Sequence, residues 1–226
     1  MGANIEILLR SVKKWNEARA LNPFLVADFN GANFQGADLN GANLELANLQ
    51  GANLHGADLS GSNFRWANLI GSNLSGTNLK ASKLEDARLN EVSFRDANLT
   101  NASLRVSDLR NADFSAAILI GSDFSGADLV GAILKGAIME RVNMSGADLR
   151  GIDFSNINLK YANLSATDLR NAVLKGANLY GANLSYTDLS EADLSCADLS
   201  EADLKCAYLG ETTLREVIFG DTIVQI

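Results

Sequence analysis

The chain has 226 residues, with 27 Asp or Glu against 19 Lys or Arg, for a formal net charge of −8. That balance excludes nucleic-acid binding of the basic kind, which works by neutralising phosphates. Two cysteines exclude a disulfide scaffold, and a single histidine leaves little for metal or acid–base chemistry.

In chain order, the first predicted element is a helix. Over residues 4–20, Ile5, Leu8, Leu9, Val12 and Trp15 recur at helical spacing, which predicts one amphipathic helix capped by Asn4. Glu6, Arg10, Lys13 and Lys14 interrupt its apolar residues, so no targeting signal is expected, and Glu6 stands where myristoylation requires Ser or Thr. Pro23, the only proline, holds Asn22 extended. No apolar run approaches a membrane span, the longest being Ala116–Ile120, so no membrane contact and a cytoplasmic location are expected.

From Phe24 to Phe219 a Leu, Phe or Met stands at every fifth position, 40 centres in one register. All nine Phe lie on them, with 29 Leu and the pair Met139 and Met144. Two residues before each centre is a small residue, as at Ala27, Ala32, Ser62 and Thr77. The position between is Asn or Asp in 28 of the 40 units, and 16 of the 19 glycines fall two residues after a centre. The unit therefore reads A-(D/N)-L-x-G.

A period of five fits neither a helix at 3.6 nor a plain strand at two. It fits a short strand whose small residue and centre point the same way, followed by a turn that Gly, Asn and Asp favour. Where each corner turns by about a right angle, four units close a coil of about 20 residues, stacking at roughly 4.8 Å per coil; the period alone leaves the number of sides and the handedness open. Each buried centre contributes roughly 1.5–3 kcal/mol. With four centres and four small residues in each cross-section, no internal ligand cavity is expected.

The repeats resemble the pentapeptide repeat family across nearly the whole chain. The resemblance implies an all-β solenoid, a right-handed quadrilateral β-helix of about ten coils with an N-terminal α-helical cap. Residues 1–23 would be the cap, 24–219 the β-helix and 220–226 a tail. An open coil end exposes apolar side chains and strand edges, which is why a cap is expected. The run Leu8-Leu9…Trp15-Asn16…Asn22-Pro23 also looks like the leader of many cyanobacterial members. Some relatives that inhibit or protect DNA topoisomerases look like a DNA duplex in size and charge. They often carry a loop that interrupts the repeats, and none interrupts these. Their acidity is also weak evidence here, because 14 of the 17 Asp occupy the motif position before a centre.

Within the repeats, Gly31–Gly76 is nearly ideal, and from Ala81 to Ala117 glycine gives way to charge. Glycine then returns, and with it a group of outward apolar residues: Ile118, Ile120, Val130, Ile133 and Ile138. Ile118 and Ile138 are 20 apart and should stack on neighbouring coils, forming a candidate interaction surface. One column, His55, Ser75, Arg95, Ser115, Lys135, Ser155, Lys175, Ser195, Arg215, alternates cations with serine, which reads as self-avoidance of like charges. Tyr186 to Asp221 carries a net −7.

His55 stands outward with no marked partner, and the motifs for phosphate, dinucleotide or acyl-transfer sites are missing. No catalytic, cofactor-binding or metal residue is therefore expected, and no cofactor. Cys196 and Cys206 lie half a coil apart, too far to bridge, and read as free thiols. The expected function is a non-enzymatic scaffold or protein–protein interaction module with a protein partner that the sequence does not identify. The alternative is an acidic DNA-mimic regulator of a DNA topoisomerase. A monomer is expected, since dimerisation through the acidic C-terminal coils would bring like charges together; a homodimer there is the alternative.

Overall fold

Each turn of the chain takes four repeats, because residues pair in parallel with those 20 further on. The structure, a computed structural model, describes residues 2–22, 25 and 27–223, and for Gly2 and Ala3 the backbone alone. Four ladders of bridges run along the rod, beginning at Asp28, Asn33, Asp38 and Asn43 and ending at Tyr208, Thr213, Ile218 and Ile223. They are the first to fourth ladders below. Among the described residues one step is missing, Ile133 to Asp153 on the second ladder.

The bonding follows the motif position by position. A centre donates to the next coil, as Phe29 N–H does to Asn48 O at 2.7 Å, and so does the corner residue, Gly31 to Gln50 O at 2.9 Å. The residue before a centre donates back, as Asn48 does to Ala27 O at 2.9 Å. Each corner is a β-turn closed by the next small residue, as Ala32 N–H does on Phe29 O at 3.0 Å. The motif Asn or Asp accepts the N–H two residues on, as Asp38 does from Asn40 at 3.2 Å. The same side chains also stack between coils, Asn48 donating to Asp28 at 3.0 Å.

Centres and small residues fill the interior, and from Phe29 to Leu204 every centre is 2% exposed or less. Aromatic centres stack along it, as Phe94 does on Phe114 with ring centroids 4.8 Å apart. The corners have positive φ whether or not they carry glycine. In the glycine-free stretch Ala81, Glu91, Val106 and Ala116 take φ of 54, 61, 57 and 57°. The coil geometry thus overrides residue preference there.

The N-terminus departs from the expectation of one helix over 4–20. It forms α1 (Gly2–Arg10) and α2 (Val12–Leu21), with Ser11 between them accepting from Lys14 N–H at 3.3 Å as the N-cap of α2. Asn4 lies inside α1 rather than before it. Leu8 and Trp15 are fully buried against the rod, and Ile5 and Val12 pack partly buried beside them. Leu9 is 47% exposed and takes no part in that packing, standing about 100° round the helix from buried Leu8. Trp15 Nε1 donates to Asn43 O at 2.7 Å and its ring meets Phe29 at 5.5 Å. Buried Arg19 donates to the Leu25 and Glu45 carbonyls, both at 2.5 Å. The helices thereby satisfy backbone acceptors of the opening coil. Pro23 and Phe24 lie outside the described residues, as do Val224 and Ile226. At the other end Leu214 and Phe219 occupy centre positions yet are 37% and 39% exposed.

Candidate functional site

The third ladder changes character midway along the rod. Its motif position reads Asp38, Asp58, Asn78 and Asn98 before Ile118 and Ile138, which pair as neighbouring bridge residues. An isoleucine there cannot make the turn bond that Asn or Asp makes, so it projects an apolar side chain outward instead. Ile118 is half-buried, Ile138 is exposed, and Ile120 lies exposed beside them after the Leu119 centre.

Of the other two apolar residues singled out in the sequence, neither joins that side. Ile133 is exposed on the second ladder, beside the missing step. Val130 stands half-buried beside the first ladder, in the column of Arg110, Arg150 and Arg170.

Immediately C-terminal to the isoleucines is an aromatic group that sequence reading missed. Tyr161 and Tyr180 meet edge to face at 5.7 Å. Arg141 lies over the Tyr161 ring at 5.3 Å and Lys160 Nζ over the Tyr180 ring at 5.4 Å. The Tyr161 ring covers the corner at Gly181, where an added Cβ would fall 2.7 Å from Tyr161 Cδ1 and where φ is +63°. Only glycine leaves room for the ring there. A hydrogen bond to Glu201 pushes the Tyr180 hydroxyl up to about 12. The signal was a diagonal pair, 19 residues apart on one side, which a search for stacked residues 20 apart passes over.

The side beneath the first ladder is built differently. Asp108, Asp128, Asp148, Asp168 and Asp188 stack consecutively. Arg110 lies 2.7 Å from Asp108 and 3.5 Å from Asp128, and Arg170 2.6 Å from Asp168 and 3.8 Å from Asp188. The carboxyls of Asp108, Asp148 and Asp168 are held below their usual range, first by the hydrogen bond from the arginine two residues on. On the second ladder Arg95 pairs with Asp113 at 2.9 Å. Asp193 likewise feels the charge of Lys175, so the alternation places Arg95 and Lys175 near an anion as well as away from their like.

A cleft of about 530 Å³ opens in the wall at the missing step, lined by Ile133, Lys135, Asp153, Ser155 and Ile157 among others. No group of three or more His, Cys, Asp or Glu that could hold a metal occurs among the described residues. His55 Nδ1 meets Ser75 Oγ at 2.8 Å on the surface. Cys196 and Cys206 are free and exposed, at corners after the second and fourth ladders. Among the described residues no helix is long and apolar enough to cross a membrane.

The family model for pentapeptide repeats matches in eight overlapping copies, the first starting at residue 27 and the last ending at 221. Among solved structures, HetL of the cyanobacterium Nostoc sp. strain PCC 7120 is 30% identical. That match covers 92% of this chain and 93% of HetL at a TM-score of 0.43, and HetL is described as involved in regulation of heterocyst differentiation. Rfr23 of the cyanobacterium Cyanothece 51142 is 29% identical, with 55% of this chain and 93% of Rfr23 covered and a TM-score of 0.23. QnrB1, a plasmid-mediated fluoroquinolone resistance protein, is 21% identical, with 88% and 92% covered and a TM-score of 0.46. Comparison with curated proteins gives no match.

Proposed function

The chain belongs to the pentapeptide repeat family, by its repeat matches and its 30% identity to HetL over 92% of its length, and on that premise we propose that it is a non-enzymatic scaffold that docks a protein partner on the side of its third ladder. In this reading the scaffold is a cytoplasmic, right-handed quadrilateral β-helix of about ten coils. Residues 1–23 are the cap, 24–219 the β-helix and 220–226 the tail. The observation that carries the docking site is the run Ile118–Ile138, flanked by Ile120 and continued by the Tyr161–Tyr180 pair under Arg141 and Lys160. Tyr and Arg beside exposed aliphatic side chains are the residues that dominate protein interfaces. Lys160 and Arg141 are balanced by Glu140 and by the Glu201 that bonds Tyr180, so this patch is near neutral on a molecule of net −8. A largely apolar partner surface with hydrogen-bonding groups fits it best. The exposed thiols Cys196 and Cys206 suit a reducing compartment.

The test compares proteins captured from the native host by the parent chain and by two variants. Ile118→Asp/Ile138→Asp should lose a protein that the parent retains, and Gln50→Asp, beside the first ladder, should keep it. Loss from both variants, or from neither, would contradict this site.

A second reading, an acidic DNA-mimic regulator of a DNA topoisomerase, draws support from the net −7 between Tyr186 and Asp221. The arginines set between the stacked aspartates of the first ladder count against a continuous anionic face. A gyrase supercoiling assay separates the two: inhibition or protection at submicromolar protein would favour mimicry, and no effect would favour the scaffold.

A further inference from the structure

We infer that the rod carries a hinge at one level, where Ile152 and Ile157 wedge the wall apart at the second ladder and loosen it at the third. At every other small-residue position between Ala27 and Ala207 the occupant is Ala, Ser, Thr or a lone Val. Ile152 and Ile157 fill two such positions in succession, facing Ala132 and Ala137 of the preceding coil. Isoleucine is three carbons larger than alanine, and the interior around it is already filled to 2% exposure or less at the centres. Overpacking of that kind moves backbone.

The movement is visible in the bonds. Leu134, Gly136 and Met139 N–H should donate to Asp153, Ser155 and Asn158, as their counterparts do elsewhere, and Asp153 and Asn158 N–H should donate back to Ala132 and Ala137. None of those bonds reaches full hydrogen-bond geometry, nor does the one from the Gly131 corner to Arg150 O, and the Ile133–Asp153 bridge is missing while the Ile138–Asn158 bridge persists. A lone valine does not have this effect. Asp113 N–H still reaches Val92 O at 2.9 Å, and Asn163 N–H still reaches Val142 O at 2.9 Å.

The other two sides stay closed at the same level. Phe124 donates to Asn143 O at 2.6 Å and Gly126 to Ser145 O at 2.9 Å, and bonding resumes with Arg141 to Lys160 O at 2.9 Å. The rod is therefore pinned along the fourth and first ladders, open along the second and only loosened along the third, where the Ile138–Asn158 bridge persists. Backbone groups freed there face a cleft roomy enough for water, which satisfies them as the wall opens further. Stacked coils otherwise leave a rod no means of changing the angle between its ends. This level supplies one, and the ends fold toward the first and fourth ladders when it opens.

Amide hydrogen exchange of the full chain, read by NMR, tests this. Leu134, Gly136, Met139, Asp153 and Asn158 should exchange roughly tenfold or more faster than Phe114, Ala116, Leu174 and Gly176, which hold the same motif positions in intact coils. In Ile152→Ala/Ile157→Ala the fast set should slow to match its neighbours. Equal protection in the parent would overturn the hinge, and fast exchange persisting in the variant would overturn the wedge as its cause. If the variant does not fold, the parent still decides: Phe124, Gly126 and Met144, on the closed sides, must stay protected. Their exchange at the fast rate would mean a weak coil rather than a hinge.

Discussion

Arg150 spans two stacked carboxylates, its Nη2 lying 2.6 Å from Asp148 Oδ2 and its Nε 3.8 Å from Asp168 Oδ2. Folding holds both carboxyls below their usual range, Asp148 first through its bond from Arg150 and Asp168 first through its bond from Arg170. A carboxyl made more acidic by folding favours the fold while ionised. Its contribution is whole above the unfolded value, near 3.9, and is lost as pH falls through the lower folded value. Arg150→Gln should therefore lower Tm modestly at neutral pH and progressively less as pH falls below the unfolded carboxyl value. Thermal melts across that range check it, and an equal difference at both ends would contradict the pairing.

Val106 stands at a corner with φ of 57°, is 59% exposed, and is β-branched. That conformation costs such a residue of order 1–3 kcal/mol. Asparagine tolerates it, so Val106→Asn should stabilise by about 1 kcal/mol. Chemical denaturation measures the change, and a loss of stability would show that the valine side chain contributes contacts worth more than its strain.

Interior centres should respond as packed core. Leu99, fully buried, should cost about 2–5 kcal/mol as Leu99→Ala, and Leu99→Asp should abolish soluble folding. Trp15→Ala should cost about 3–5 kcal/mol, because it empties the fully buried contact between α2 and the opening coil. Melts of the purified variants test both, and a Trp15 variant as stable as the parent would show the helices to be dispensable to the rod.

Exposed Leu214 and Phe219 favour association at the C-terminal end, and the net −7 over these coils opposes it. Surface charge is screened over about 8–10 Å at physiological salt. Light scattering should give a monomer at low salt, with any dimer growing as salt is raised. A dimer independent of salt would contradict this balance of charge and apolar exposure.

Much of the fold could be read from the period, with the number of sides supplied by the resemblance to the repeat family. Leu, Phe and Met every fifth residue dictate burial, and 20-residue pairing follows from four such units per turn. The break at Ser11 could not be read so readily, because Val12 and Trp15 carry the buried pattern of Ile5 and Leu8 on across it. The site was legible where side chains stack directly, as Ile118 does with Ile138. It was not legible for Tyr161 and Tyr180, which meet diagonally across a coil boundary. The opening at Ile133–Asp153 was carried by residues that look interchangeable in sequence: Ile152 and Ile157 are apolar like the alanines they replace, and only their volume in a filled interior sets them apart.

Site-specific photo-crosslinking in the native host tests the docking claim most directly. A benzoylphenylalanine replacing Ile120, Ile138 or Tyr180 in turn should crosslink one and the same protein, and the same group replacing Gln50 on the first-ladder side should not. Crosslinks from position 50 equal to those from position 138, or crosslinks confined to the coil of Leu214 and Phe219, would contradict a partner seated on the third ladder.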